Sequence, residues 1–480
     1  MAANRSEPRR TRVGPILYLR GYDADHMALA ALVVRRAGED PFPLATGQGS
    51  VPATALIERR GMVVDRYLFT LPATADAWYE LGGTRFCVNA ALNGDLRIAY
   101  VSCNGMEHGD LDRPENERNG MWRRLAEQHA ANPFNLLLQG GDQVYSDEIP
   151  DAHPATSGWP RSIGDDLDST STAELGSVLR DAWFRRYIHV FGQPEFAWLA
   201  ARVPSLAMWD DHDISDGWGS YPEPILDSDV GRCIFAAARE NFLLFQLCAA
   251  PGEVPAFCPD RTGENLTWSV HLPGLHVVAP DLRSERRQCR VMDRNGWDAF
   301  RTALGKAQPG RVLLLSSVPA VGPRLSILER FMYLTPWKEE YQDDLNDQWQ
   351  SIRHREEWRR FLGHAIALHE RDGVRVTFLS GEIHLATRGM IETATGDLHQ
   401  LVASGIAHPP PGRMQSLFLG ALANLPESPV PGHRLRLLPL PGRKATYTPE
   451  RNYLVLSRSS GQWNAVWELE DSGPTPPLTI

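Results

Sequence analysis

Residues 206–220 read LAMWDDHDISDGWGS, a short apolar run that ends in Asp210, Asp211, His212 and Asp213. Similar apolar runs that end in polar or small residues recur along the chain, and most are separated by segments with helical periodicity. They are LRIAYVSC, FNLLLQGGDQVY, GLHVVAPDLRSER, RVLLLSSVP and VRVTFLSGEIHLA. Because this pattern is typical of buried parallel strands, it predicts an α/β fold.

Polar residues at the carboxyl ends of these predicted strands are the candidate functional residues, since this edge of an α/β sheet lines the active-site crevice. They are Cys103, Asp142, Asp210, Asp211, His212, Asp213, Asp281, Arg283, Glu382 and His384. Buried carboxylates repel one another, so a neutralising positive charge is expected among them. Asp, Glu, His and thiolate side chains bind metal ions, and one carboxylate can bridge two ions ~3.5–4 Å apart. The set therefore predicts a site for two metal ions.

Each candidate also has a purely structural interpretation. Asp142 follows two glycines, where a carboxylate often stabilises a turn or caps a helix. Cys103 can be a packed apolar thiol, and His384 a core histidine whose nitrogens are hydrogen-bonded. One carboxylate of residues 210–213 can cap the turn that follows. The whole cluster, with Asp216 and two glycines after it, is harder to explain by structure alone.

The composition excludes some classes of protein. The chain has 480 residues and a formal net charge of −10, so a general nucleic-acid-binding protein is not expected. Its six cysteines include no CxxC pair, which favours reduced thiols over a disulfide scaffold. No segment approaches the ~18 apolar residues of a membrane span. The pair Arg9 and Arg10 lacks the continuous apolar stretch of an export signal. We therefore predict a cytoplasmic protein without a membrane span.

The chain is predicted to contain two domains. Residues 1–92 hold short β-branched or aromatic runs divided by Gly and Pro, which favours a small, mostly β N-terminal domain. Within it, only HMALAALVVRRAGE, at residues 26–39, has helical periodicity. Residues 93–480 carry the α/β pattern and form the predicted catalytic domain, which ends in a hairpin at residues 451–471.

The order of four motifs, SC, GDQVY, WDDHDISDGW and SGEIH, resembles the PhoD-like phosphatases (alkaline phosphatase D), a branch of the calcineurin-like metallophosphoesterases. The resemblance extends over residues 95–470 and includes SSVPAVGPRLSILER and YQDDLNDQWQSIRHREEW. It implies a layered sandwich of mixed β-sheets flanked by helices. It also implies metal-dependent hydrolysis of phosphoric esters, with small-molecule or lipid-type phosphomonoesters or phosphodiesters as substrates.

The resemblance assigns roles to the residues that match these motifs. Asp142 falls where the family has the aspartate that bridges both metals. Asp211 matches a metal ligand, and His212 matches the histidine that stabilises the transition state or protonates the leaving group. His384 matches the last metal-binding histidine, and Glu382 falls where many members carry a ligating Asp.

Three further positions bear on which metals are bound. Cys103 matches a thiolate that binds ferric iron in some members, and Asp216 lies near an Asn ligand of others. Some members also supply a tyrosinate from the helix before the WDDH strand. At that place this chain has Val190, with Tyr187 one turn earlier. The expected cofactor is therefore two or more metal ions, of Fe, Ca, Mn or Zn.

In the predicted mechanism, a hydroxide activated by the metal ions attacks phosphorus, and His212 acts as the general acid. Asp210 or Asp213 is expected to orient this imidazole, and Tyr145 to support the ligands from behind. Arg283 is either a phosphate clamp or half of a structural ion pair.

Several alternatives remain open at this point. The chain can be a metal-binding protein that has lost hydrolysis, given Glu382 in place of Asp, or an enzyme whose nucleophile is Cys103. The stretch at residues 337–358 is either a lid over the site or a structural helix with a solvated acidic face. The helix is favoured, with its first turn near the site.

Overall fold

The computed structural model describes residues 13–156, 158–161, 167–323, 348–423 and 428–480. These residues form three β-sheets and a set of flanking helices. The strands are β1 (Val13–Tyr22), β2 (His26–Arg36), β3 (Leu44–Thr46), β4 (Gly49–Val51), β5 (Ala53–Arg59), β6 (Met62–Pro72), β7 (Ala77–Leu81), β8 (Thr84–Val88), β9 (Leu96–Val101), β10 (Leu136–Gly140), β11 (Ser205–Met208), β12 (Trp268–Leu272), β13 (Leu275–Ala279), β14 (Gly310–Ser316), β15 (Val374–Ser380), β16 (Thr387–Ile391), β17 (Leu398–Val402), β18 (Leu435–Leu438), β19 (Asn452–Ser459), β20 (Gln462–Leu469), β21 (Gly473–Pro474) and β22 (Leu478–Thr479). The helices are α1 (Glu115–Arg118), α2 (Gly120–Ala131), α3 (Ser169–Phe191), α4 (Pro194–Ala200), α5 (Glu223–Leu226), α6 (Asp229–Phe245), α7 (Arg294–Gly305), α8 (Arg355–His369) and α9 (Arg413–Ala423).

The first large sheet has the strand order β21-β20-β19-β9-β10-β11-β1-β2-β6-β5. Its centre is parallel, because β10 pairs in parallel with both β9 and β11, and β11 pairs in parallel with β1. The second large sheet has the order β12-β13-β14-β15-β17-β16-β18 and is parallel from β13 to β17. A third, small sheet has the order β4-β3-β7-β8.

The two large sheets pack face to face with helices on both outer sides. One buried cluster joins Ile98 and Leu138 of the first sheet to Leu313 and Leu379 of the second. On the outer face of the first sheet, α2, α3 and α6 cover the apolar side chains of β9 and β10. On the outer face of the second, α7 and α8 cover β14 and β15. The predicted layered α/β sandwich is therefore confirmed.

The N-terminal region is rich in strands, as predicted, but it is not separate from the rest of the sandwich. Strand β1 joins the central sheet through the pair Tyr18 and Ser205, and β2, β6 and β5 extend that sheet. The predicted boundary at residue 92 therefore crosses one continuous sheet.

Most of the segment at residues 26–39, where the sequence shows helical periodicity, forms β2 (His26–Arg36). All residues from Leu29 to Arg35 are less than one-tenth exposed, and β2 lies between β1 and β6. A strand that is covered on both faces needs apolar side chains at successive positions, so its sequence loses the alternation that marks a half-exposed strand.

Three further features compare directly with the sequence expectations. The C-terminal hairpin is present as β19 and β20. All six cysteines lie in the described residues and are free. Among the helices of the described residues, none is both long enough and apolar enough to cross a membrane.

Candidate metal centre

The candidate residues meet at one edge of the sandwich, where strands of both large sheets end. Cys103 and Asp142 follow β9 and β10, and residues 210–213 follow β11. Glu382 and His384 follow β15 of the second sheet. Residues more than 270 positions apart in the chain thus share one site, because parallel strands deliver their carboxyl ends to the same edge.

Two groups of possible metal ligands form at this edge, and they share one residue. In the first group, one donor atom from each of Cys103, Asp142 and His384 lies within 4.8 Å of the others. The Sγ atom of Cys103 is 3.5 Å from Oδ2 of Asp142. In the second group, donor atoms of Asp142, Asp211 and His212 meet the same limit. Asp142 is therefore placed where one carboxylate could contact two ions.

The carboxylate of Asp142 is buried, and one of its two oxygen atoms lacks a hydrogen bond within the described part of the chain. Its Oδ1 atom has no hydrogen-bond partner among the described residues. Burial raises the pKa of Asp142 well above its ordinary value, and the nearby Asp210 and Asp211 raise it further. A buried carboxylate surrounded by carboxylates is unfavourable unless a cation neutralises it, so this environment suits a metal ligand.

Backbone strain is concentrated at the same edge. Cys103, Asp142, Glu382 and His384 have φ angles of 57°, 56°, 64° and 53°. They are four of the seven non-glycine residues with positive φ in the described chain. Such conformations cost about 1–3 kcal/mol each and persist where the surrounding structure holds them for a functional reason. Here they turn the side chains that follow β9, β10 and β15 toward a common point.

His212 is held by Asp147, which the sequence reasoning did not identify. Nδ1 of His212 lies 2.9 Å from Oδ2 of Asp147, whose other oxygen accepts a hydrogen bond of 2.7 Å from the backbone N–H of Asp216. Burial by itself would lower the pKa of His212, but Asp147 and then Asp211 outweigh burial and raise it well above its ordinary value. The only sequence signal for Asp147 is its place five residues after Asp142, in QGGDQVYSDE.

Asp213 and Asp210 were expected to orient His212, and the structure gives both of them other contacts. Asp213 accepts hydrogen bonds from the backbone N–H groups of Asp142 at 2.9 Å and Asp210 at 3.0 Å, and from the Gln246 amide at 2.8 Å. It therefore fixes the loops after β10 and β11 to each other. Asp210 accepts hydrogen bonds from Arg283 and, at 2.7 Å, from the hydroxyl of Ser317.

Arg283 lies beneath the carboxylate cluster with a side chain that is 0 % exposed. Its Nε atom pairs with Asp210, and its Nη2 atom lies 3.3 Å from Oδ1 of Asp211. Its Nη1 atom donates to the carbonyl oxygen of Trp218 at 3.2 Å. These contacts favour the structural ion pair over the phosphate clamp, and they provide positive charge beneath the carboxylates.

Tyr145 lies between the two histidines of the site. Its ring stacks on that of His212 with centroids 4.4 Å apart, and its hydroxyl lies 3.0 Å from Nε2 of His384. Both contacts fit the expected supporting position beside the ligands.

Glu382 and Asp216 lie at the margin of the site. The amide of Gln348 donates to both carboxylate oxygens of Glu382, at 2.8 and 2.9 Å, and Glu382 belongs to none of the ligand groups among the described residues. Asp216 is 62 % exposed, and its Oδ1 atom lies 3.9 Å from Nε2 of His212. The assignment of both as ligands stays a prediction.

Two further residues of the site were missed in the sequence. Glu107 lies 3.1 Å from Nε2 of His408, and the His408 ring stacks on that of His384 with centroids 3.3 Å apart. Glu107, His384 and His408 form a third group of possible ligands. His408 follows β17, as the other candidates follow their strands, so the strand-end criterion would have found it had β17 been recognised.

The stretch at residues 337–358 is described from Gln348 onward, and residues 337–347 lie outside the described residues. Trp349 and Trp358 are buried in the cluster that joins α8 to the second sheet. The helix begins at Arg355, later than the predicted periodicity suggested. These aromatic side chains are therefore part of the core, whereas Gln348 contacts the site residue Glu382.

Comparisons with known proteins found a matching family model, a curated relative and a similar solved structure. Residues 74–336 match the family model described as PhoD related phosphatase. An uncharacterized protein of Saccharomyces cerevisiae, YGR266W, is 24 % identical over 435 residues, covering 71 % of this chain and 61 % of the yeast protein. The chain thus spans about three-fifths of the length of the curated relative it matches. The solved structure of PhoD superposes with a TM-score of 0.57 at 12 % identity, covering 100 % of this chain and 90 % of that one, which supports the fold.

Proposed function

The chain belongs to the family of PhoD-related phosphatases, and from this premise we propose that it is a metal-dependent hydrolase of phosphoric esters. The observation that carries the proposal is the position of Asp142, whose carboxylate lies close to the donor atoms of Cys103 and His384 and also to those of Asp211. Two groups joined by one buried carboxylate are what a pair of metal ions requires.

The donor set fits metal ions of intermediate to hard character. Thiolate, imidazole and carboxylate donors are compatible with Fe, Mn or Zn, and the carboxylates also with Ca. When bound, the ions would act as Lewis acids, which activate water and neutralise charge on the phosphoryl oxygens. Cys103, Asp142, Asp211 and His384 are the proposed ligands, with Glu382 and Asp216 as further candidates at the margin.

His212 is the proposed proton donor to the leaving oxygen. Asp147 binds its Nδ1 atom, which leaves Nε2 as the atom that can face a substrate. Asp147, followed by Asp211, raises the pKa of His212, which favours the protonated form that can donate its proton. Asp147 is a positioning residue, since it acts through the imidazole rather than on the substrate.

The cysteine-nucleophile alternative has less support. The Sγ atom of Cys103 has Ser404, Ser102 and Asp142 as its hydrogen-bond neighbours, at 3.1, 3.4 and 3.5 Å. Burial, followed by Asp142, raises the pKa of this thiol, which opposes the thiolate that a nucleophile needs. A cation at this position would reverse that preference.

The substrate is proposed to be a small-molecule or lipid-type phosphate ester. The proposed ligands would act on the phosphoryl group that monoesters and diesters share, so both classes are proposed as substrates. A cytoplasmic location and the absence of nucleic-acid binding stay predictions from composition.

Hydrolysis of p-nitrophenyl phosphate and bis-p-nitrophenyl phosphate, together with elemental analysis of the purified protein, tests the proposal. We expect at least one ester to be cleaved and a chelator to abolish cleavage. His212→Ala should lower turnover by about 100-fold or more and retain the metal, whereas Asp142→Asn should lose both. The exposed His271 provides a matched control, and His271→Ala should behave as the wild type. A fully metal-loaded protein that cleaves neither ester would instead support the non-hydrolytic alternative.

A further inference from the structure

A cluster of arginines lies at the edge of the sandwich opposite the candidate metal centre. Arg311 and Arg375 lie at the amino ends of β14 and β15, and Arg458 lies near the end of β19. Strand β14 has seven residues, so about 20 Å separates this edge from the metal centre. The cluster is therefore a site of its own.

The arginines line a cavity of about 520 Å³, which is within the usual range for small-molecule sites. Five of its twelve lining residues are glycine, so backbone groups are reachable from the cavity. Trp463 forms one wall, with the guanidinium carbons of Arg311 and Arg458 at 5.9 and 5.8 Å from its ring centroid. Asp95 is the only acidic residue of this lining in the described chain.

Arg311 and Arg375 are direct register partners in the parallel pair of β14 and β15. Their side chains therefore leave the sheet on the same face, where two like charges repel each other. Arg311 is only 9 % exposed. Burial, and then Arg375, lowers the pKa of Arg311 to about 10. Burial and the charge of Arg375 both disfavour the charged form of Arg311. An anion in the cavity would therefore stabilise the two neighbouring guanidinium groups.

The hydrogen bonds of Arg311 use one N–H of each Nη atom and leave the second N–H of each. Nη1 donates to the hydroxyl of Thr377 at 2.9 Å, and Nη2 donates to the backbone oxygen of Ile480 at 2.7 Å. Its Nε atom has no hydrogen-bond partner among the described residues. Arg458, in contrast, uses its guanidinium to bind the carbonyl oxygens of Leu92, Gly94 and Pro273.

We propose that this cavity binds a phosphate group, held by the guanidinium groups of Arg311 and Arg375. Two guanidinium charges match a dianion, and their planar N–H groups match phosphate oxygens. The group could be free inorganic phosphate or the phosphoryl end of a larger molecule. The proposal does not depend on the catalytic function, because the two sites lie at opposite edges.

Calorimetric titration of the full chain with inorganic phosphate, pyrophosphate and ATP tests this site. Arg375 is exposed, so Arg375→Ala should fold normally and weaken binding by about tenfold or more. Arg311→Met should weaken binding at least as much. Arg294 is an exposed arginine of α7, and Arg294→Ala is the matched control that should bind as the wild type.

To separate this site from the metal centre, the titrations are repeated in the Asp142→Asn background, where the binding that remains should be weakened by Arg375→Ala. Tightest binding of ATP or pyrophosphate would assign the site to a larger phosphorylated molecule, and equal binding of inorganic phosphate would assign it to free phosphate. The proposal is overturned if Arg375→Ala binds all three as tightly as the wild type, or if none of them binds the wild type.

Discussion

At the scale of single residues, the environment of Asp142 is unfavourable for an ionised carboxylate. Its buried Oδ1 atom has no hydrogen-bond partner among the described residues, and burial together with Asp210 and Asp211 raises its pKa. The same features that destabilise this carboxylate in a metal-free protein make it a strong ligand when cations are present.

This reasoning predicts opposite effects of Asp142→Asn with and without metal. In the loaded protein the variant should be less stable, because a ligand bound only by the native state stabilises by about 4 kcal/mol at a thousandfold excess over its Kd. In chelator the variant should be more stable than the wild type, because the amide removes the repulsion with Asp210 and Asp211. Thermal unfolding of both proteins in both states measures this. A variant that is less stable in chelator as well would show that the carboxylate has a structural role.

Arg283 supports a second residue-scale prediction. Since its buried guanidinium pairs with Asp210 and Asp211, Arg283→Met should lower the free energy of unfolding by about 3 kcal/mol. Denaturant titration measures this loss, and Arg294→Met on the surface should change the free energy by less than about 0.5 kcal/mol. A phosphate clamp without a structural role would leave the stability of the Arg283 variant unchanged.

At the scale of elements, two helices are joined to the strands that follow them in the same way. Nδ1 of His129, near the end of α2, accepts a hydrogen bond of 3.1 Å from the backbone N–H of Phe134, just before β10. Nδ1 of His369, at the end of α8, accepts one of 3.0 Å from the N–H of Val376 in β15. Both strands lead into the metal centre, so these histidines help to set where the ligand loops begin.

Both histidines must be neutral to accept these hydrogen bonds. Burial, followed by nearby arginines, lowers the pKa of His129 and of His369 to about 4. Because the unfolded chain takes up these protons near pH 6.5, it binds more protons than the native state between pH 6.5 and about 4. The contribution of these two neutral histidines to the free energy of unfolding is therefore complete above pH 6.5 and is lost as the pH falls toward 4.

The prediction is that His369→Gln weakens this acid sensitivity. Urea titrations at pH 7.5 and pH 5 should show a smaller fall in the free energy of unfolding for the variant than for the wild type. His271 is exposed and provides the control variant His271→Gln. Its free energy of unfolding should fall between pH 7.5 and pH 5 by as much as that of the wild type. Metal loss at acid pH affects all three proteins alike, so equal falls in all three would contradict the assignment to His369.

At the scale of the whole molecule, the N-terminal strands are part of the sandwich that forms the site. The hydroxyl of Ser205 donates to the carbonyl oxygen of Leu17 at 3.1 Å, and Tyr18 donates to the carbonyl oxygen of Phe245. Arg20 binds the carbonyl oxygens of Leu247 and Cys248, just after α6, at 2.6 and 2.9 Å. Strand β1 thus contacts β11, which leads to His212, and also the C-terminal end of α6.

A fragment that contains only residues 93–480 is therefore predicted not to fold. Removing β1 and β2 would expose the edge of β11 and the apolar clusters on both of its faces. Size-exclusion chromatography and circular dichroism should show an aggregated or unfolded fragment, with the full chain as the control. A monomeric fragment that unfolds cooperatively would instead establish residues 1–92 as an independent domain.

The sequence by itself determined the α/β class, the strand ends that carry Cys103, Asp142, His212 and His384, and the family. These features are local, since an apolar run followed by polar residues marks both a buried strand and its functional end. The sequence could also suggest a need for cations. Carboxylates that come together at neighbouring strand ends repel one another whatever the detailed geometry of the site.

Only the tertiary structure decided which side chain does what at the site. Asp147 binds His212, Asp213 ties two loops together, and Arg283 is buried under the carboxylates. These roles depend on directions and distances between segments far apart in the chain, which residue type does not encode. The place of β1 and β2 in the central sheet was decided in the same way, because an apolar run indicates that a strand is buried but not which strands it pairs with.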